Sequence, residues 1–361
     1  MKFNKWTLGL AAVGAVSMAS AVRADEAPKL SQLNTAVSST VISGYVDVAA
    51  QYNLGNPGKT SAVNQPATLA SGKVDNFSLN SLTISLDKAL DESPWASGYH
   101  IDLNWGADAI DISGPVRQAY VTLRTPVGNG IDWKIGGFDG VTGYEVNTGY
   151  ANPNYTRSYG YAVNPASELG IIGSYKIVEN VTAQLGIGNR FSGTTVGLSS
   201  KDYIAALALT APESFGFLKG SVLNFGTVQT FDNGGVNNYS VNASINTPVT
   251  GLKLGLAYDK VESLRFEGSD GNIYGIYATY QATEKLGFNL RGEYIDGQNF
   301  NYFYGNNGKG EEITATVEYD LWANVVSRVE FRWDHTESGT EFNANDTESA
   351  YLIALNLVYK F

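Results

Sequence analysis

The sequence predicts an all-β chain: a transmembrane antiparallel β-barrel of about sixteen strands. Three observations carry this expectation. The last strand has one wholly apolar face, the first residues read as a secretory leader, and apolar and polar residues alternate at period two through most of what lies between.

The last strand is the clearest element. Tyr351, Ile353, Leu355, Leu357, Tyr359 and Phe361 share one face, and Leu352, Ala354, Asn356, Val358 and Lys360 share the other. A strand of roughly ten residues with an apolar face and aromatics at both ends has the length and pattern that cross an outer membrane. Phe361, with Tyr359 two residues earlier, also resembles the assembly signal at the end of bacterial outer-membrane proteins. The partners expected on this reading are outer-membrane lipids and the barrel assembly machinery. The final strand of a soluble sandwich is the competing reading.

At the other end, Lys2 and Lys5 flank an apolar stretch from Trp6 to Ala19. Cleavage after Ala21 or Ala24 fits the small-residue rule for leaders. Ala24 is preferred, because Asp25 and Glu26 then open the mature chain. The expected organisation is a signal peptide over 1–24, a short periplasmic segment over 25–40 and the barrel over 41–361. There is no Cys, which removes disulfides and thiolate chemistry and suits passage through an oxidising compartment.

Composition agrees. Only 16% of residues are charged, while the chain has 40 Gly and 22 Tyr. No mature segment approaches the roughly eighteen consecutive apolar residues of a membrane helix. The formal charge of −11 becomes −14 once Lys2, Lys5 and Arg23 leave with the leader, which argues against a nucleic-acid partner.

Strands are expected near 41–53, 77–87, 95–105, 116–125, 131–138, 168–176, 181–190, 202–211, 218–228, 237–247, 252–259, 272–282, 286–296, 311–320, 325–334 and 349–361. In one of them Ile313, Ala315, Val317 and Tyr319 oppose Glu312, Thr314, Thr316 and Glu318. In the next, Val329, Phe331 and Trp333 oppose Arg328, Glu330, Arg332 and Asp334. Alternation is poorest over 218–228. The second face is too charged for a dry core: Arg328, Glu330 and Arg332 in a row are costly to bury and cheap beside water. A water-filled lumen follows as the expectation.

Connections after even-numbered strands are short and carry turn residues, as in Pro126–Gly130 and Pro248–Gly251. Those after odd-numbered strands are longer. The longest, roughly Asp139 to Pro165, holds Gly143-Tyr-Glu145 and Asn152-Pro-Asn-Tyr-Thr-Arg-Ser-Tyr159. Unstructured connections of this length are uncommon unless functional.

The search for catalysis finds little. His100 and His335 are expected to be solvated polar side chains, with Asp102 sharing the strand face of His100. No metal or phosphate motif appears, so no enzyme and no cofactor are expected. Glu267-Gly-Ser-Asp270 reads as a solvated loop before it reads as a weak Ca²⁺ site. The polar parity does gather cations: Arg190, Arg291, Arg328, Arg332, Lys134, Arg124 and Lys253. The long connection offers Asp139, Glu145 and Arg157 against them, plus Tyr155, Tyr159 and Tyr161. Opposed charges across a constriction order water and favour polar solutes. Pairing of Arg328, Glu330 and Arg332 along one wall is the plainer alternative. The tyrosines are read as loop packing before sugar stacking.

Several stretches resemble the OmpL-like β-barrel porin family, and more loosely the sixteen-stranded general porins. They include Ile42-Ser-Gly-Tyr-Val-Asp47, Leu86-Asp-Lys-Ala-Leu-Asp-Glu92, Tyr120-Val-Thr-Leu-Arg-Thr-Pro-Val-Gly-Asn-Gly130 and Leu209-Thr-Ala-Pro-Glu-Ser-Phe-Gly216. The resemblance implies a passive channel for small hydrophilic solutes, a third loop folded into the lumen and a homotrimer. A sugar- or anion-selective channel and a non-conducting adhesin or structural barrel are the alternatives.

Overall fold

A computed structural model describes residues 39–54, 73, 75–110, 112–189, 201–230, 236–263, 270–297, 309–336 and 348–361. The expected leader and most of the segment before the barrel lie outside these residues, as does Arg190. So does 267–269 of the acidic loop.

Sixteen antiparallel strands close into one barrel. They are β1 (Val41–Leu54), β2 (Asn76–Lys88), β3 (Ser97–Trp105), β4 (Val116–Thr125), β5 (Ile131–Asp139), β6 (Ser167–Val178), β7 (Val181–Asn189) and β8 (Lys201–Thr210), followed by β9 (Val222–Thr230), β10 (Val236–Asn246), β11 (Leu252–Ser263), β12 (Asp270–Gln281), β13 (Leu286–Asp296), β14 (Gly310–Trp322), β15 (Val325–Thr336) and β16 (Ser349–Lys360). Each strand pairs with its sequence neighbours, and β1 closes on β16 with Tyr45 opposite Lys360. Among the described residues no helix is long and apolar enough to cross a membrane.

The two parities of each strand separate as the alternation requires. Along β16, Tyr351, Ile353, Leu355, Leu357 and Tyr359 are exposed outside, while Leu352, Ala354, Asn356 and Val358 are buried inside. Ile313 and Val317 of β14 and Val329 and Phe331 of β15 extend the same apolar outer band. The inner face carries the charge: Arg291, Glu293, Glu312, Glu330, Arg332 and Asp334 are all buried there. Asn356 is inward but not solvated. Its amide donates to Asp47 Oδ1 at 2.6 Å across the β1–β16 seam and to the Val48 carbonyl at 3.0 Å.

The expected strand over 218–228 starts later. Glu213–Leu218 forms a 3-10 segment after Pro212, and Gly216 and Gly220 take φ of 60° and 75°. Those left-handed angles suit glycine and end the extended run, so β9 begins only at Val222. The rim pattern is also less regular than expected. The β8–β9 connection at 211–221 is long for its rim, and 231–235 between β9 and β10 is short for the other.

Both ends of the barrel meet at the short-turn rim. Phe361 and Gly44 exchange two backbone hydrogen bonds of 3.0 Å. A Cβ at Gly44 would lie 2.5 Å from the Phe361 ring, so glycine is what lets the last side chain lie over β1.

Leu355→Arg places a charge on the outer band, at a cost of about 2–4 kcal/mol near the hydrocarbon midplane. Thr182→Arg points inward from β7. In a heat-modifiability gel the first variant fails to give the folded band and the second retains it. Deleting Phe361 removes the Gly44 pairing and the ring contacts with β1 and Tyr359, and leaves the strand pairing of β1 with β16 from Tyr45 onward, so folding in detergent survives while accumulation in the outer membrane of expressing cells falls.

Candidate functional site

The connection between β5 and β6, residues 140–166, is bonded to inner-face side chains around much of the barrel. It contains a 3-10 turn, Gly149–Ala151, and a one-turn helix, α1 (Tyr159–Val163), capped by Ser158, whose Oγ accepts from Tyr161 N. Two glycines on the facing strands make room. A Cβ at Gly226 of β9 would sit 2.9 Å from Thr142 Cγ2, and one at Gly255 of β11 would sit 2.3 Å from Tyr144 Oη. Tyr144 stacks on Tyr277 of β12 at 4.1 Å, and Tyr159 and Val163 pack against Val261, Ile273 and Ile295.

Main-chain donors of this segment meet carboxylates of the opposite wall. Tyr155 N and Thr156 N donate to Glu330 at 2.5 and 2.8 Å. Tyr159 N and Gly160 N donate to Glu293 at 2.5 and 3.1 Å. Charge-assisted bonds of this kind are about twice as strong as neutral ones. Arg328 returns the arrangement in reverse, donating to the carbonyls of Tyr150 at 2.7 Å and Asn152 at 3.0 Å.

Arg291 stands at the centre. Nη1 donates to Glu145 Oε1 at 2.8 Å and to the Thr156 carbonyl at 2.7 Å, while Nε donates to Glu312 Oε1 at 2.7 Å. All three side chains are fully buried. Arg332 binds Asp334 at 2.7 Å, donates to the Arg157 carbonyl at 2.6 Å and lies over the Tyr159 ring. Tyr159 in turn donates its hydroxyl to Asp334 at 2.5 Å.

Several expectations are corrected here. Arg291 and Arg332 present no surface to a pore: both are 0% exposed, covered by the connection and held by carboxylates. Arg328 is likewise buried and pairs with Glu318 at 2.7 Å. Asp139 ends β5 and binds Arg117 at 2.6 Å, so it does not face the arginines of β13 and β15. Arg157 folds back onto its own segment, donating to the carbonyls of Val146 and Asn147. Tyr155 is buried, with its hydroxyl shared between Gln51 and Asn80, and Tyr161 donates to Asn147. The Tyr155 ring is packed, and the Arg157 guanidinium lies over the Tyr161 ring at 4.6 Å. Burial pushes the Tyr161 phenol up to about 12 and raises those of Tyr144 and Tyr155, so all three remain neutral donors.

Away from the loop contacts, Arg124 pairs with Asp132 at 2.6 Å near the short-turn rim. Lys134 lies over the Tyr120 ring at 5.0 Å, and Lys253 opens β11 on the inner face. His100 is not a solvated side chain. Its Nδ1 is 3.0 Å from Asp87 and its Nε2 is 3.0 Å from Asp102, while Tyr120 stacks on the ring. His335 contacts Ser349 Oγ at 3.0 Å and stacks on Trp333.

Arg117 was hidden from the parity argument. The β3–β4 register shifts beside Asp102, so Arg117 and Gln118 are both buried although adjacent in sequence. A bulge of this kind breaks the period-two rule locally.

A family model described as putative beta-barrel porin-2, OmpL-like, matches residues 39–361. The chain belongs to this porin family. No curated protein matches it by sequence. Among solved structures, the outer-membrane channel DcaP of Acinetobacter baumannii is 12% identical, covering 89% of this chain and 97% of that one with a TM-score of 0.59. OmpT of Vibrio cholerae is 12% identical, covering 92% and 100% at 0.58. An anion-selective porin from Comamonas acidovorans is 13% identical, covering 90% and 99%, also at 0.58. At these identities the likeness concerns the fold. Family and fold together make this porin an outer-membrane channel in general class, and point away from an enzyme.

Arg291→Leu leaves Glu145 and Glu312 buried without their shared cation, a change that costs about 3–5 kcal/mol. The temperature at which the folded gel band is lost should drop clearly. Lys219→Gln, at an exposed rim pair, should leave it within error of the parent.

Proposed function

We propose that this porin is a passive diffusion channel for small hydrophilic solutes and ions, with the β5–β6 connection inside the lumen setting its narrowest point. The observation that carries the reading is the bonding of residues 145–160 to inner-face side chains of β13 and β15, on the far side of a closed barrel from β5. A segment so placed takes up cross-section that a sixteen-stranded barrel otherwise leaves to water. The remaining inner surface near the short-turn rim is polar, with Arg124, Asp132, Lys134 and Lys253 on it. Such a surface replaces hydration for a passing solute and offers no gain to an apolar one. The proposal includes delivery by a cleaved signal peptide, insertion by the barrel assembly machinery through the Tyr359 and Phe361 end, and assembly as a homotrimer.

A selective channel differs from a general one in that its solute competes with ion current. An adhesin or structural barrel gives no current. Planar-bilayer recording of the purified full chain separates these readings. Deleting residues 146–160, with folding confirmed by heat modifiability, should raise single-channel conductance. A folded deletion with the parent's conductance would move the constriction elsewhere.

A further inference from the structure

Among the described residues, the inner-face arginines of this barrel are committed. Arg117, Arg124, Arg291, Arg328 and Arg332 each hold a carboxylate at 2.6 to 2.8 Å. A cation in a close ion pair presents a dipole to a passing ion, and the field of a dipole falls off faster than that of a charge. Burial removes Arg291 and Arg332 further from any solute.

Lys134 differs. It projects inward from β5, three residues from the short-turn rim, and stays half-buried. Among the described residues its ammonium has neither a hydrogen-bond acceptor nor an ion-pair partner, and its neighbour is the ring of Tyr120. That ring also stacks on His100, with centroids 5.2 Å apart. The acids facing Lys134 are engaged elsewhere. Asp139 is bound by Arg117 at 2.6 Å and by the Asn147 amide at 2.9 Å. Asp87, from β2, is paired with His100 at 3.0 Å, and Asp132, on the same face of β5, is paired with Arg124. A lysine ammonium has three donors and no acceptor capacity. A ring face offsets part of its desolvation and satisfies none of those donors in a directional way.

We infer that Lys134 is an anion-contact site of the channel, the point at which small anions exchange hydration for a protein donor, and that it biases permeation towards anions. This rests on the channel reading above. The arginine wall has a different task under this inference: it fastens the β5–β6 connection, while selectivity lies with a lysine on the opposite wall.

The test is the reversal potential of the purified full chain in a planar bilayer under a potassium chloride gradient. Lys134→Gln should shift it towards the cation side. Lys134→Glu should shift it further, and Lys134→Arg should restore the parent value. Lys219→Gln, the same loss of charge at an exposed rim pair, should leave it unmoved. Lys134→Met, which keeps the stem over Tyr120, replaces Lys134→Gln if that variant does not give the folded gel band. Folded, conducting Lys134→Gln and Lys134→Glu channels with the parent's reversal potential would overturn the inference and leave the channel standing. A parent barrel that carries no current would overturn both.

Discussion

A strand that faces hydrocarbon has no water to satisfy its main chain, and each unpaired group there costs several kcal/mol. Everything else in this barrel follows from meeting that demand with a closed sheet. Closure joins β1 to β16, so Val41–Leu54 and Ser349–Lys360, the two ends of the barrel, are neighbours. It also sorts side chains by parity. Leu355 at 55% exposure and Asn356 at 4% differ by one residue, and their surroundings differ by the thickness of the sheet. The apolar band outside and the charged wall inside are two readings of the same backbone.

The charged wall would be expensive if it were left dry and unpaired. It avoids that cost by mutual satisfaction. Arg291 takes Glu145 and Glu312, Arg332 takes Asp334, and Arg328 takes Glu318. Glu330, and Glu293 at 3.9 Å from Arg291, accept main-chain donors of the β5–β6 connection. Buried ion pairs give little net stability compared with apolar packing, yet they are costly to break singly. Their effect here is to define one seating for a connection of more than twenty residues, together with the apolar contacts of Tyr144, Tyr155, Tyr159 and Val163.

Much of the fold was legible, because alternation reports directly on which side of a sheet a residue lies. The strands were recovered nearly to their ends, and the long connection was recognised by length. Its Glu145 and the cation Arg291 belong to the opposed sets that loop length and strand parity single out. What alternation cannot report is what covers a face. Arg291, Arg328 and Arg332 were read as bordering water because they point inward, and the loop that seals them comes from strands far away in sequence. Asn356 is a further case: it points inward, and Asp47 on the other end of the chain takes its amide. Arg117 and the start of β9 failed for local reasons, a register shift and a glycine-bearing turn, each of which interrupts the period on which the reading depends.

The four N–H donors that meet Glu330 and Glu293 belong to Tyr155, Thr156, Tyr159 and Gly160. Any residue but proline supplies the same donor. These four contacts are therefore indifferent to which side chains the segment carries, with Gly160 an exception because a Cβ there would lie 2.6 Å from Asp259 Oδ2, whereas Glu145, Tyr155 and Tyr159 also hold the wall through their side chains. At those four N–H groups attachment is uncoupled from composition. On the channel reading proposed above, a position that meets the wall only through its main chain is free to change the chemistry it displays while the segment stays where it is, so divergence in permeant need not pass through a loss of architecture.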